Sequence, residues 1–143
     1  MRTPSARGAS ARQAKAHPHS PHPLTLVIPR CPPASLNRIL RSHWGYRHEL
    51  VEIWRQEVAA AAIAAGRPSF PAARIHIRLF YSTARLPDPD NALCITSKLV
   101  LDGLVRAGVL PDDGPQHVRA IALDYIGVDR QNPRTEVLIQ PET

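Results

Sequence analysis

Lysine is nearly missing from this chain. Of 18 basic residues only Lys15 and Lys98 are lysine, and the rest are arginine. A compact ammonium on a flexible stem differs chemically from a planar guanidinium, so Lys98 marks a position that calls specifically for the ammonium. Cysteine is equally scarce. Cys31 and Cys94 stand far apart, without the CxxC spacing of a metal or redox site, and are expected as reduced thiols of a cytoplasmic protein. No apolar run is long enough to span a bilayer. The N-terminus lacks the apolar core of a signal peptide, which predicts a protein that is not secreted. No internal repeat is visible. The first 23 residues contain no acid and, after Met1, no large apolar side chain. Such a segment cannot bury a core, so residues 1–23 are expected to form a disordered basic arm ahead of one domain at 24–143. His17, His19 and His22 have chelating spacing, but with neither a cysteine nor an acid beside them they are expected as a solvated tract.

A hydrophobic content of 43% with 21% charged residues fits a soluble globular domain. Charge is unevenly spread. Residues 24–87 carry nine arginines against three glutamates, whereas residues 88–143 carry five basic groups against nine acidic ones. A basic half joined to an acidic, cation-competent half suits a protein that both grips phosphate and holds metal. An uneven surface charge with no such purpose fits the same numbers.

Residues 24–28 form a short apolar run of strand character, and the proline-rich stretch from Cys31 to Asn37 reads as a rigid loop. From 46 to 65 the period is helical, with Leu50, Trp54, Val58, Ala61 and Ala65 on one face and Gly66 and Pro68 as the stop. Residues 74–81 alternate as a strand, with His76 on its polar face. A second helix is expected over 89–107, with Asp88 as N-cap, Pro89 at the first helical position and Gly108 as terminator. Strands at 118–128 and 135–139 follow, joined by a turn at Asn132-Pro133. The order β-α-β-α-β-β predicts a two-layer α/β (α+β) domain, with two helices on a mixed sheet.

The acidic stretch carries the chemistry. Pro89 pushes Asp88 into extended geometry, so Asp88 and Asp90 converge at a helix start, where the macrodipole favours anions. Asp112 and Asp113 follow the same helix, and the chain must fold back to bring them near. Two carboxylates about 4 Å apart repel by roughly 4 kcal/mol at an effective dielectric near 20. A divalent cation relieves that repulsion, and Mg²⁺ is the usual partner of oxygen-only ligands and phosphate. On the second helix Asn91, Ile95, Lys98 and Asp102 share a stripe. Leu93, Ser97, Val100, Leu101 and Leu104 fall on another, expected against the core. Each feature also has a bland explanation: Asp88 as a mere cap, Pro111-Asp112-Asp113-Gly114 as a turn, Lys98 and Asp102 as a surface ion pair. Their joint occurrence favours function.

Several motifs occur in one order. Pro33-Ala34-Ser35-Leu36-Asn37 follows the first strand, and His43-Trp44 with Arg47 leads into the first helix. Asp88-x-Asp90-Asn91 and Lys98 come next, and the run from Leu101-Asp102-Gly103-Leu104 through Gly108-Val109-Leu110-Pro111-Asp112-Asp113 completes the set. In these the chain resembles the RusA family of Holliday junction resolvases, metal-dependent endonucleases common in prophages, over roughly residues 24–140. The resemblance implies a Mg²⁺-dependent endodeoxyribonuclease acting on branched DNA in recombination and repair, working as a homodimer. It places the metal-binding aspartates on Asp88, Asp90 and Asp113 and the helix lysine on Lys98. Some members carry that lysine four residues after the second aspartate, where here the interval is eight. Asn91 is expected to position a ligand or water. Asn37, Arg38, Arg41 and Arg47, with Arg30, are expected to meet DNA, with Trp44 buried against the first helix. The alternative expectation is a catalytically silent nucleic-acid-binding module that retains the fold.

Overall fold

A computed structural model describes residues 22–32 and 44–142, with the side chain of Trp44 excepted. Most of the expected basic arm, the loop residues Asn37, Arg38 and Arg41, and the placement expected for Trp44 lie outside the described residues. The elements follow the expected order: β1 (Leu24–Ile28), α1 (Trp44–Ala64), β2 (Ala73–Tyr81), α2 (Pro89–Arg106), β3 (Val118–Val128) and β4 (Arg134–Pro141). They form an α+β domain of two helices on a four-stranded mixed sheet, with strand order β1-β4-β2-β3. β2 and β3 are parallel, so α2 is the crossover that such a pair requires. β4 runs antiparallel to both β1 and β2.

Strict alternation builds the sheet. Along β2, Ala73, Ile75, Ile77, Leu79 and Tyr81 are buried under the helices, and the residues between them face the other way. Trp54, Val58 and Ala62 of α1 and Ala92, Ile95, Leu99, Val100 and Leu104 of α2 close the core. Burial of each large side chain contributes roughly 1.5–3 kcal/mol. The helix faces differ in detail from expectation. On α1 Ala62 is the buried alanine, while Ala65 falls beyond the helix and is exposed. On α2 Ile95 belongs to the core, whereas Leu93, Ser97 and Leu101 are only half-buried. A stripe drawn in steps of four, three and four tilts across the true apolar face, which Ala92, Ile95, Leu99 and Gly103 define.

Close helix contact depends on one glycine. A Cβ at Gly103 would lie 2.7 Å from the Cβ of Val58, closer than real side chains come. The second helix then ends as its sequence predicts. Gly108 takes a positive φ of 77°, and the amides of Gly108 and Val109 turn back to the carbonyls of Val105 and Leu104.

Ion pairs connect the two charged halves of the sequence. Arg55 faces Asp102 at 3.8 Å, Arg74 faces Glu142 at 2.7 Å and Arg78 faces Glu136 at 3.4 Å. His76, expected as solvated, lies 2.7 Å from Asp124. Cys31 and Cys94 are free thiols. Among the described residues no helix is long and apolar enough to cross a membrane.

Candidate functional site

Asp88 sits at the N-cap of α2 in extended geometry, with φ −62° and ψ 145°, as the following proline dictates. An N-cap aspartate ordinarily spends its carboxylate on the free amides of the first turn. Asp88 makes no such bond. Its carboxylate is exposed, as is that of Asp90 in the first turn, and Asn91 is half-buried beside them. Both aspartates lie close enough to Tyr125 of β3 to act on its phenol. Burial first, then the charges of Asp88 and Asp90, push Tyr125 ionisation above its ordinary range. The Tyr125 hydroxyl donates a 2.6 Å hydrogen bond to the carbonyl of Pro87, immediately before Asp88. Its ring stacks on Tyr81, with centroids 6.0 Å apart and planes at 27°. The Tyr81 phenol is buried without a hydrogen-bond partner, and burial holds it strongly protonated.

This pole lies at the carboxyl ends of the parallel strands β2 and β3, where α/β sheets commonly bind ligands. The Cys31 thiol donates to the Phe80 carbonyl at 2.6 Å, and the Thr135 hydroxyl donates to the Arg30 carbonyl at 2.7 Å. The segment leading into the arginine-bearing loop is thereby fastened to the same end of the sheet. Burial pushes the Cys31 thiol toward its protonated form.

Asp113 lies elsewhere. Asp90 is the second residue of α2, and about 24 Å of helix runs on from it to Arg106 before the chain reaches Asp113. It follows the helix into the turn before β3, where the amides of His117 and Val118 bond to the Gly114 carbonyl. It therefore stands by the starts of β2 and β3, at the opposite pole from Asp88. There Asp112 and Asp113 line a cleft of about 230 Å³ with Arg55, Asp102, Val105 and Arg106. Asp112 accepts the amide of Asp113 at 2.8 Å, as the turn reading predicts. Among the described residues, no three His, Cys, Asp or Glu side chains gather into a group that could hold a metal ion. One chain thus brings Asp88, Asp90 and Asn91 together but leaves Asp113 apart.

Lys98 is exposed on α2, eight residues and about 12 Å of rise from Asp90. Asp102, its partner in the bland ion-pair explanation, faces Arg55 instead. Arg47 is half-buried on α1. Sequence reasoning missed Tyr81 and Tyr125. Their only signal was an aromatic in the carboxyl-terminal half of each of two strands, and the parallel pairing that makes it meaningful appears only in three dimensions.

Mg²⁺ keeps several waters and is commonly held by one or two carboxylates together with substrate phosphate. The exposed, uncommitted oxygens of Asp88 and Asp90 fit that smaller set, and within one chain the three-aspartate set does not form. No model of a known protein family matches the chain, and no curated protein matches it.

Proposed function

We propose that this chain is a Mg²⁺-dependent endodeoxyribonuclease that hydrolyses a phosphodiester bond in branched DNA such as a four-way junction. The reading rests on one observation above others: Asp88 occupies a cap position and leaves its carboxylate free, beside an equally free Asp90. The order of motifs shared with the RusA-type resolvases supplies the substrate class. Asp88 and Asp90 would hold the ion, and Asn91 would orient a ligand or water. A bound Mg²⁺ would lower the pKa of a coordinated water and polarise the phosphate. Lys98, two turns down the helix, would meet a phosphate farther along the strand. Arg47 and the loop arginines Arg38 and Arg41, with Asn37, would contact the DNA backbone.

A four-way junction has near two-fold symmetry and is resolved by paired incisions, which a two-fold homodimer supplies. Asp113 would then join Asp88 and Asp90 only across that dimer, from a second copy of the chain. Its distance within one copy also favours a second reading, a nucleic-acid-binding module without catalysis. Incubation of synthetic four-way junctions with and without Mg²⁺ separates the two. Wild-type incision that requires Mg²⁺, lost in Asp90→Asn with junction binding retained, supports the nuclease. Binding without incision across metals and salt concentrations supports the silent module.

A further inference from the structure

Tyr125 is the side chain that ties the carboxylate-bearing turn to the sheet. Residues 82–86 leave β2 as an exposed segment. The turn at its far end is gripped through Pro87, whose carbonyl accepts the Tyr125 hydroxyl at 2.6 Å. Pro87 precedes Asp88 directly, so this bond anchors the backbone from which the Asp88 side chain projects without capping the helix. The Tyr125 ring is in turn stacked on Tyr81, which the core buries almost completely at 6% exposure. A rigid strand end therefore reaches, through two rings and one hydrogen bond, to the backbone beside Asp88.

We propose that Tyr125 is a positioning residue for the Asp88–Asp90 pair, setting its divalent-cation affinity by holding the Pro87 carbonyl. This inference rests on the reading of those two aspartates as cation ligands. Side-chain geometry at a cation site must be held within fractions of an ångström by its supporting contacts. Tyr81 contributes only a stacking surface, because its hydroxyl has no partner.

The test uses the full chain and Mn²⁺ as the probe, with binding measured by titration calorimetry and Mg²⁺ dependence by junction incision. Tyr125→Phe keeps the ring and its stacking but removes the hydroxyl. It should weaken Mn²⁺ binding roughly 3- to 10-fold, the equivalent of one ordinary hydrogen bond. It should raise the Mg²⁺ needed for half-maximal incision by a similar factor while leaving the rate at saturating Mg²⁺ near wild type. Tyr81→Phe should leave both quantities unchanged. A merely structural Tyr125 would lower the melting temperature without moving either cation constant, and that result overturns the inference. If the double variant Asp88→Asn, Asp90→Asn binds Mn²⁺ as well as wild type, the underlying reading of the carboxylates falls, and the inference falls with it. Measurement well below the melting temperature of each variant keeps binding loss separate from unfolding.

Discussion

Replacing Asp88 by alanine distinguishes a helix cap from a cation ligand, because the two roles predict opposite patterns of stability. A working N-cap loses about 1 kcal/mol when truncated to alanine, which lowers the melting temperature of a domain this size by roughly 4 °C. Asp88 makes no capping bond, so that loss should be missing. What remains is its favourable interaction with the helix dipole, about 0.3–1 kcal/mol. Relief of repulsion from Asp90 opposes it, and two unit charges some 6 Å apart in water repel by about 0.7 kcal/mol. In EDTA the variant should therefore melt within about 2 °C of wild type. Added Mg²⁺ reverses the equality. An ion at ten times its Kd stabilises the folded state by about 1.4 kcal/mol, so wild type should melt several degrees higher in Mg²⁺ while Asp88→Ala stays where it was. Thermal unfolding of both proteins, in EDTA and across a Mg²⁺ series, decides the matter. A variant that loses 1 kcal/mol or more in EDTA yet keeps the full Mg²⁺ response would refute the reasoning and return Asp88 to the role of a cap.

Asp90→Asn and Asp113→Asn should each abolish incision alone, yet an equal mixture of re-assorted chains should recover about a quarter of wild-type sites, because half the dimers then hold one intact site. A mixture as inactive as its components would show that Asp113 does not act across a dimer. Gly103→Ala should destabilise the domain by about 1 kcal/mol or more despite the helix propensity gained, since crowding against Val58 opposes it; denaturant unfolding should show the loss largely cancelled by adding Val58→Ala. The Arg134 hydrogen bond, followed by the Asn132 amide, holds the Asp129 carboxyl below its ordinary value. Its stabilising effect is complete above the unfolded pKa of about 4 and disappears as pH falls through the lowered folded value, so Asp129→Asn should flatten that part of the acid-denaturation curve. Arg85, in the exposed segment beside Asp88, enters none of the ion pairs described above, and Arg85→Ala should lower the slope of log affinity against log salt on duplex DNA by about 0.9. Arg74→Ala should leave that slope unchanged.

The fold was legible because each local signal agreed with the global one. Proline after Asp88, Gly108 after the second helix and alternation along residues 74–81 each fixed an element end or face with a known physical cause, and β3 spans 118–128 as its pattern predicts. The helix stripes were read less well. An apolar face on α2 is set by Ala92 and Gly103 as much as by large residues, and small residues carry little weight in a pattern of hydrophobicity. Strand order was not legible at all. Nothing along the chain announces that β4 inserts between β1 and β2, because register and neighbour choice depend on contacts between residues distant in sequence.

The same limit governs the candidate site. Asp88 and Asp90 were legible because their geometry is local, fixed by one proline and one helix start. Asp113 was expected past the far end of the same helix, and only three dimensions show that the chain does not fold back to bring it to Asp88 and Asp90. Charge misleads for a related reason. The basic and acidic halves looked like two surfaces with separate tasks, but Arg55, Arg74, His76 and Arg78 of the first half face Asp102, Glu142, Asp124 and Glu136 of the second. Exposed pairs of this kind contribute at most about 1 kcal/mol each, so they do little for stability. Their larger effect is on the sheet face that the helices leave open, where Arg74 and Arg78 each stand against a carboxylate. The described positions where arginine enters none of these pairs include exposed Arg85, three residues before Asp88 in the chain, and on the proposed reading it would meet the phosphate backbone there.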